Sequence, residues 1–247
     1  MSISTFNTEY AIMQSYSNDD AFCNEMKKGK MFEQDLIIHN LLQYITKSSV
    51  ILDIGGHIGS HSILYSKFNS NCQIYTFEPQ KKIYELLNEN IIKNNCKNIK
   101  TFNNAVGHMK GPFKLSSMIG DGYNHSVEYG TDTILNLGGM QLGTDGEEVE
   151  MITIDSLELP SCDYIKIDVE GAENLVIYGG RNTIQKYHPT IFFECTTKLL
   201  NEDTINMMQV SHIPSSIKIL EDINYTITNV DINNKIAIYK PKINLVI

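Results

Sequence analysis

The stretch that most constrains the fold of this chain is VILDIGGHIGSHSILYSK, residues 50–67. A β-branched apolar run breaks at Asp53, and three glycines and two histidines follow within residues 55–61 before a helical pattern begins. A strand that runs straight into a glycine-rich turn and a helix presents backbone N–H groups at the positive end of that helix. The stretch therefore predicts a loop for a polar cofactor group, a His-x-x-x-His metal pair, or only a tight turn.

Short β-branched or aromatic runs alternate with longer helical patterns from Val50 onward. This alternation predicts an α/β fold with a parallel sheet covered by helices, and two β-rich runs in the tail predict an antiparallel hairpin at the sheet edge. The predicted strands are residues 50–54, 73–78, 99–106, 163–170, 190–194, 224–230 and 234–240. The predicted helices are residues 61–68, 80–95 and 171–187, the last with a break at Gly179 and Gly180.

Two regions depart from the alternation. Residues 1–49 have a helical pattern around FEQDLIIHNLLQYI and predict a helical flank or lid on the core. Residues 107–149 are rich in Gly, Ser, Thr, Asp and Asn without a helical stripe, as is typical of a substrate loop inserted in a compact domain. No repeat or low-complexity linker divides the sequence, so residues 1–247 are predicted to form one domain.

Charge and composition restrict the partners and the compartment. The net charge of −9 argues against nucleic acid as a main partner, because phosphate binding needs a concentrated Lys and Arg surface. The polar N-terminus lacks the order of a signal peptide, and no apolar run approaches the ~20 residues that span a bilayer. Five cysteines without C-x-x-C spacing favour reduced thiols and a cytoplasmic protein. The oligomeric state stays open, a homodimer included.

The glycine spacing discriminates between cofactors. The pattern D-x-G-G-x-x-G lacks the G-x-G-x-x-G of dinucleotide sites and the G-K-[ST] of phosphate loops. Asp53 before the glycines repels a pyrophosphate but suits an ammonium or sulfonium group. Glu78 ends the second predicted strand about twenty residues later, where a carboxylate can accept both ribose hydroxyls of an adenosine. The loop, Asp53 and Glu78 together indicate S-adenosylmethionine rather than a nicotinamide dinucleotide.

The histidines of the loop allow a second interpretation. His57 and His61 are four residues apart and could share a helix face, as zinc ligands do. Against this, His57 is predicted to lie before the helix, and no third ligand has a recognisable spacing. Polar side chains that line a cofactor pocket are therefore the favoured interpretation.

Five motifs, in the order ILDIGGHIG, FEP, NNAVG, ITIDSL and YIKIDVEGAE, resemble the FkbM-type S-adenosylmethionine-dependent methyltransferases. The resemblance runs from about Phe32 to the C-terminal hairpin, and IKIDVEGAE with the following GGRNTI and TIFFE is its most specific part. It implies a class I methyltransferase, Rossmann-like fold with a seven-stranded, mostly parallel sheet and an antiparallel final hairpin. The family pattern has Ala-Asn where this chain has Gly56 and His57, which keeps the loop but leaves the role of residue 57 open.

The resemblance also implies the contacts of the cofactor. Glu78 is expected to hold the ribose. The residues expected around the methionine part are Asp53, Gly55, Gly56, His57, Gly59 and Ser62, and those expected along the adenine are Asn104, Ala105 and Val106.

Methyl transfer to a hydroxyl requires alignment of the acceptor oxygen, the methyl group and the sulfur, and the removal of one proton. Strand alternation places Lys166 and Asp168 on one face, Glu170 lies just past the strand, and Glu194 ends another strand. Asp168 or Glu170 is predicted to be the general base or to orient the hydroxyl, with Lys166 fixing the carboxylates and Glu194 as a second orienting group. A structural ion-pair network around Lys166 is the alternative. Clustered carboxylates also bind divalent cations, and whether a metal is needed stays open, with no metal ligands assigned.

The insertion offers a further candidate base. Tyr123, Asn124, His125 and Tyr129 have the aromatic and polar character that stacks on and hydrogen-bonds a sugar. His125 is the best imidazole candidate, because its unperturbed pKa lies near neutrality. A solvent-exposed loop tip of the same composition is equally compatible with these residues.

The sequence thus predicts an S-adenosylmethionine-dependent O-methyltransferase that acts on a hydroxyl of a sugar or glycoconjugate, the acceptor class most often associated with the family. The polar insertion is compatible with such a small-molecule or glycan acceptor. The alternatives are a methyltransferase of a secondary-metabolite hydroxyl or amine, and a non-catalytic protein that binds S-adenosylmethionine.

Overall fold

The computed structural model describes residues 2–119, 125–126, 136–195 and 200–241. The strands are β1 (Ile3–Asn7), β2 (Ile12–Tyr16), β3 (Val50–Ile54), β4 (Gln73–Phe77), β5 (Ile99–Phe102), β6 (Ala105–Val106), β7 (Gly111–Leu115), β8 (Met118–Ile119), β9 (His125–Ser126), β10 (Leu142–Gly143), β11 (Glu148–Ile152), β12 (Tyr164–Ile167), β13 (Thr190–Glu194), β14 (Tyr225–Asn229) and β15 (Asn234–Tyr239). The helices are α1 (Asp20–Lys27), α2 (Gln34–Leu36), α3 (Ser60–Phe68), α4 (Lys81–Lys93), α5 (Glu173–Gly179), α6 (Arg181–Tyr187), α7 (Glu202–Met208) and α8 (Ser216–Asp222).

A seven-stranded sheet forms the centre of the fold, in the order β14-β15-β13-β12-β3-β4-β5. The pairs from β13 to β5 are parallel, whereas β15 pairs antiparallel with both β13 and β14. The sheet expected from the sequence is therefore confirmed, hairpin included. Since parallel strands all end at one edge, the residues that follow β3, β4, β12 and β13 are brought together there.

The central strands are buried on both faces, which is why they read as continuous apolar runs rather than as alternating ones. Ile51 and Tyr164 pack into one core with α3, α4 and the N-terminal residues. Leu52 and Ile165, their neighbours along the strands, pack into the opposite core with α5, α6 and α8. Strand alternation thus assigns Asp53 and Lys166 to the face that the N-terminal residues cover.

The predicted third strand, residues 99–106, is divided between two sheets. β5 ends the central sheet, while β6 pairs with β11 in a second sheet of order β10-β7-β11-β6. The expectation of an irregular insertion over residues 107–149 is wrong to this extent, because β7, β10 and β11 are regular antiparallel strands. The turns between these short strands contain Gly, Ser and Asp. The composition of the segment therefore resembles that of an irregular loop.

The N-terminal flank begins with a β-hairpin, which the helical prediction for residues 1–49 missed. β1 pairs antiparallel with β2, and helical structure follows in α1, in α2 and in the turns Ile37–Leu41 and Leu42–Tyr44. The side-chain amide of Asn90 on α4 accepts the backbone N–H of Gln14 at 2.7 Å and donates to its carbonyl at 3.0 Å. Asn94, one turn later, makes the same pair of bonds with Ile12. Two amides thus hold β2 against the helix as a neighbouring strand would.

Across the stretches that the structure describes, no helix combines the length and the apolar character needed to cross a bilayer.

Candidate active site

The glycine loop joins β3 to α3 and is held against both neighbouring strands. The backbone N–H groups of Gly55 and Gly56 donate to the carbonyl of Phe77 at 3.0 and 2.9 Å. A Cβ on Gly55, where φ is +81°, would lie 1.8 Å from the backbone carbonyl oxygen of Asp168. Glycine alone permits this approach in a left-handed conformation. The loop therefore sets how closely the end of β3 approaches the end of β12.

Glu78 lies directly after β4 and is 3% exposed. One carboxylate oxygen accepts the backbone N–H of His57 at 3.0 Å, and the other accepts that of Gln80 at 2.9 Å. Burial raises the pKa of Glu78 to about 7, although both hydrogen bonds and the charge of Lys166 act in the opposite direction. A carboxylate has about four lone-pair sites, so this fixed side chain keeps room for a further donor beside the two backbone groups and the Gln80 side chain.

His57 lies in the loop before α3, as predicted, with φ at +45°. Its ring packs against Phe22 with centroids 4.1 Å apart, and its Nε2 lies 3.5 Å from the carboxylate of Asp19. Burial, together with the positive charge of Lys166, lowers the pKa of His57 to about 3. The imidazole is therefore neutral at physiological pH.

His61 is bound to other groups than His57. Its Nδ1 lies 2.9 Å from the hydroxyl of Tyr65 on the same helix, and its Nε2 lies 2.8 Å from the carboxylate of Glu33 in the N-terminal flank. With both nitrogens of His61 in these bonds, the geometry disfavours a zinc pair with His57. His57 lines the cavity described below, whereas His61 does not and instead joins α3 to the N-terminal flank.

An ion pair between Asp53 and Lys166 lies beneath the loop. The two residues are register partners on β3 and β12, almost completely buried, with 3.4 Å between nitrogen and oxygen. The Lys166 ammonium also donates to the Gly55 carbonyl at 2.6 Å and lies 3.5 Å from the carboxylate of Asp168. Burial disfavours the charged form, but the carboxylates of Asp53 and Asp168 outweigh burial and raise the pKa of Lys166. The hydroxyl of Ser62 donates to the other oxygen of Asp53.

One cavity follows the carboxyl ends of β12, β3 and β4, so that it spans about 10 Å across three strands. Of the predicted site residues, it brings together Gly55, His57, Glu78, Asn104, Ala105, Val106, Asp168 and Glu170. Asp53, Gly56, Gly59, Ser62, Lys166 and Glu194 do not line it. Asp53, Ser62 and Lys166 instead support the loop from below.

Sequence reasoning missed two walls of this cavity. Phe22 of α1 and Phe32 lie on it, and their rings stack with centroids 4.3 Å apart. Leu142 of β10 in the second sheet and Met140, two residues before it, also line the cavity. Both phenylalanines belong to residues 1–49, for which the sequence predicts a helical flank or lid, but no spacing singled them out. The Met140 wall lies inside the segment that was read as an irregular loop.

Three carboxylates meet where β12 and β13 end. Oxygens of Asp168, Glu170 and Glu194 all lie within 4.8 Å of one another. Glu170, with φ at +57°, begins a tight turn that returns the chain to α5, and Gln141 donates to the Glu170 carbonyl at 2.9 Å. The predicted convergence of these carboxylates is what the geometry gives. Their combined negative potential attracts a cation to this point.

A second cavity lies on the other side of the same turn. Gly171, Glu173 and Glu194 line it, together with residues of α7, of α8 and of the segment between these helices. Glu173 is buried and accepts the backbone N–H groups of Val169 and Gly171, at 3.3 and 3.0 Å. The residues from 168 to 173 thus separate two cavities, each with a carboxylate of the cluster in its wall.

The structure does not describe the side chains of the candidate residues in the insertion. Tyr123, Asn124 and Tyr129 lie outside the described residues, and of His125 only the backbone, in β9, is described. The role of His125 as a base stays a prediction.

Comparison with known proteins identifies relatives. The Methyltransferase FkbM domain family matches residues 53–227. The hexuronic acid methyltransferase AglP of Haloferax volcanii is 29% identical over 182 residues, which are 69% of this chain and 68% of that protein. The crystal structure of the FkbM methyltransferase from Methylobacillus flagellatus KT has a TM-score of 0.52 at 14% identity, covering 82% of this chain and 47% of that one. This chain therefore spans less than half of that structure, and the likeness concerns the fold.

Proposed function

This chain belongs to the FkbM methyltransferase family, whose methyl donor is S-adenosylmethionine, and from that premise we propose that it methylates a hydroxyl of a sugar or glycoconjugate. The observation that carries the proposal is the course of one cavity, from the buried carboxylate of Glu78 to the carboxylates of Asp168 and Glu170. The Glu78 carboxylate suits binding of the hydroxyls of a nucleoside, and the carboxylates of Asp168 and Glu170 suit removal of a proton. The similar protein that acts on hexuronic acid supports a sugar as acceptor.

The residues of the cavity suit the donor. S-adenosylmethionine supplies a methyl group on a positively charged sulfur. Glu78, held by two backbone N–H groups, keeps room for a ribose hydroxyl. Asn104, Ala105 and Val106 continue the wall past β5, where a flat base fits against small buried side chains. The family resemblance implied this role for each of these residues.

Around the sulfur, the role of Asp53 changes from contact to support. Its charge is paired with Lys166, whose ammonium donates to the Gly55 carbonyl, and Asp53 itself does not line the cavity. The neutral ring of His57 lies on the cavity wall instead. A neutral imidazole at this place avoids the repulsion that an imidazolium would exert on a sulfonium.

At the other end of the cavity, Asp168 and Glu170 are the candidates to accept one proton. Asp168 or Glu170 would accept the proton of the acceptor hydroxyl, and S-adenosylmethionine, when bound, would supply the methyl group for that oxygen and leave as S-adenosylhomocysteine. Lys166, 3.5 Å from the carboxylate of Asp168, fixes its orientation. Glu194 lies close enough to orient the same hydroxyl.

Titration calorimetry with S-adenosylmethionine and S-adenosylhomocysteine tests the first half of the proposal. Micromolar binding of either is expected, and no binding of both would refute it. Incubation with labelled S-adenosylmethionine and a panel of nucleotide sugars, glycans, phenolic metabolites and amines tests the second half. Binding without transfer to any acceptor would indicate a non-catalytic protein. Methyl transfer only to phenols or amines would refute the sugar as acceptor.

A further inference from the structure

The N-terminal flank contacts both histidines of the glycine-loop stretch. Phe22 of α1 packs its ring against that of His57, with centroids 4.1 Å apart, and the carboxylate of Glu33 lies 2.8 Å from Nε2 of His61. The sequence singled out His57 and His61 as a His-x-x-x-His pair. Both positions of this pair therefore join the flank to the loop and to α3.

Three rings form a continuous surface on the cavity that runs from Glu78 to Asp168, which is named the donor cavity below. The ring of Phe32 stacks on that of Phe22 with centroids 4.3 Å apart, and Phe22 in turn packs on His57. All three residues line the donor cavity, and Phe22 and Phe32 are named the flank wall. The backbone N–H of His57 donates to Glu78, so the wall adjoins the carboxylate that is proposed to hold the ribose.

His61 offers the flank a fixed partner. The residue is buried, its Nδ1 lies 2.9 Å from the hydroxyl of Tyr65, and its ring stacks with that of Phe192 on β13 with centroids 6.3 Å apart. These two contacts hold the imidazole from the side of the core. Nε2 is then directed toward the flank, where Glu33 meets it.

Glu33 follows Phe32 directly and has a left-handed backbone, with φ at +55°. Residues other than glycine seldom adopt this region, and they keep it where their surroundings hold them there. The bond to His61 is such a hold, and it restrains the backbone from which the neighbouring Phe32 ring projects. Glu33 itself does not line the donor cavity. It can therefore act on that cavity through the flank wall.

The rest of the flank is seated by apolar packing. Ile37 and Leu41 are fully buried in the core that the flank shares with α3 and α4. Loss of the bond between Glu33 and His61 is therefore expected to leave the flank folded and to release chiefly the short segment that carries Phe32.

We propose that Glu33 and His61 are positioning residues of the donor site: their bond seats the flank wall, and the wall closes the donor cavity against S-adenosylmethionine. The proposal rests on the proposed function and extends its donor site to residues that precede the 53–227 segment matched by the family. It also gives the two histidines separate tasks. His57 belongs to the ring surface of the cavity, and His61 anchors the flank.

The positioning role is tested by calorimetric titration with S-adenosylhomocysteine at pH 7.5. Glu33→Ala is expected to raise the Kd at least fivefold, because the flank wall loses its anchor. The amide of Glu33→Gln can donate to or accept from Nε2 of His61 in either tautomer, so this variant should stay within twofold of the parent. Asp35→Ala is the matched control and should leave the Kd unchanged. It makes the same change in net charge two residues away, at an exposed carboxylate that pairs with Lys30.

Three results of that titration would overturn the positioning role. The first is a rise below fivefold in a folded Glu33→Ala protein, and the second is an equal rise in Asp35→Ala. The third is a Kd of Glu33→Gln that lies closer, on a logarithmic scale, to that of Glu33→Ala than to that of the parent.

The flank wall is tested with a second pair of variants, which also decides the question if Glu33→Ala does not fold. Phe32→Leu removes the ring that stacks on Phe22 and should raise the Kd for S-adenosylhomocysteine at least threefold. Phe68→Leu is the same exchange at the end of α3, at an exposed ring that lines neither cavity, and should leave the Kd unchanged. Equal Kd values for the two variants would overturn the proposal.

Hydrogen exchange shows whether the flank wall meets the ligand. Saturating S-adenosylhomocysteine should slow amide exchange in residues 21–32 at least threefold in the parent and less than twofold in Glu33→Ala. Binding by calorimetry without slower exchange in these residues of the parent, or equal slowing in both proteins, would overturn the proposal. A parent that binds neither S-adenosylmethionine nor S-adenosylhomocysteine would instead refute the proposed function, so the two failures are distinguishable.

Discussion

The two ends of the cavity are built in different ways. The Glu78 side, consisting of Gly55, His57 and Glu78, comes from one short segment of chain, is almost fully buried and is fixed by backbone hydrogen bonds. The Asp168 side, consisting of Asp168, Glu170 and Glu194, is assembled from two strand ends and is partly exposed. Backbone hydrogen bonds fix the Glu78 side, whereas the packing of two separate strands assembles the Asp168 side.

Lys166 is where the two sides meet, and its removal is expected to have the largest effect. Lys166→Met leaves Asp53 as a buried charge without its cation, a change that costs roughly 3–5 kcal/mol of unfolding free energy when one partner of a buried pair is deleted. The Gly55 carbonyl and the Asp168 carboxylate lose their donor and their neighbouring charge at the same time. Urea denaturation at pH 7.5 measures the loss.

The double variant Asp53→Asn, Lys166→Met is the control for that loss. It removes both charges, and it should recover a large part of the stability because the uncompensated carboxylate is gone. Equal destabilisation of the single and the double variant would show that Lys166 contributes through packing rather than charge. Lys166 would then not connect the Glu78 side and the Asp168 side through its charge.

Asp168→Asn separates the two sides by turnover. A general base contributes about 10²–10⁴-fold to the rate, so kcat should fall at least about 100-fold, or about 2.7 kcal/mol of activation free energy. The Kd for S-adenosylhomocysteine should stay within threefold, because the proposed ribose contact of Glu78 lies on the other side of the cavity. Single-turnover methyl transfer from labelled S-adenosylmethionine measures the rate.

Glu170→Gln is the companion measurement, since either carboxylate can take the proton. If Glu170→Gln slows methyl transfer and Asp168→Asn does not, Glu170 is the general base and Asp168 the orienting residue. If neither variant slows transfer, the base lies outside the Asp168 side. His125 then becomes the first residue to change.

Glu78→Ala should have the opposite signature. Loss of the carboxylate removes the acceptor for the ribose hydroxyls and should raise the Kd for S-adenosylmethionine tenfold or more, on the order of 1.4 kcal/mol. At saturating cofactor, kcat should stay within about threefold. Calorimetry on the folded variant measures the affinity, and an unchanged Kd would refute the ribose role.

The same difference explains what the sequence could predict. Gly55, Glu78 and Asp168 follow strands whose apolar runs are visible in the sequence, and parallel strands bring their ends together by topology alone. The seven-stranded sheet and the site on its edge could be predicted for that reason. The pairing of Asp53 with Lys166 could not, because it depends on the register between two strands over 100 residues apart.

The misses have a common physical cause. β1 and β2 form a hairpin whose stability comes partly from Asn90 and Asn94 on a distant helix, which no local pattern signals. The second cavity depends on α7 and α8, two short helices whose positions are set by packing. Short helices and strands show little sequence periodicity. Intrinsic propensity therefore predicts them poorly, and tertiary contacts determine where they form.

The smallest expected effect is a pH dependence that belongs to the Glu78 side alone. With the pKa of Glu78 raised to about 7 by burial, the ionised fraction falls from about one half at pH 7 to about one eleventh at pH 6, so the affinity for S-adenosylhomocysteine should fall about fivefold. His57, with a pKa of about 3, does not titrate in this range. Calorimetry at both values tests the change, and Glu78→Gln should flatten it.

Stability should move in the opposite direction to affinity. A carboxyl whose pKa is higher in the folded than in the unfolded chain contributes stability that is fully present below its ordinary pKa of 4.5 and is lost as pH rises through about 7. The unliganded protein should therefore lose this contribution between pH 4.5 and 7, while its affinity for the cofactor rises. Comparing the unfolding free energies of the parent and Glu78→Gln at pH 5 and pH 8 isolates the contribution. A difference that stays constant with pH would place the titration seen in binding on another group, and the Glu78 side would lose its distinguishing feature.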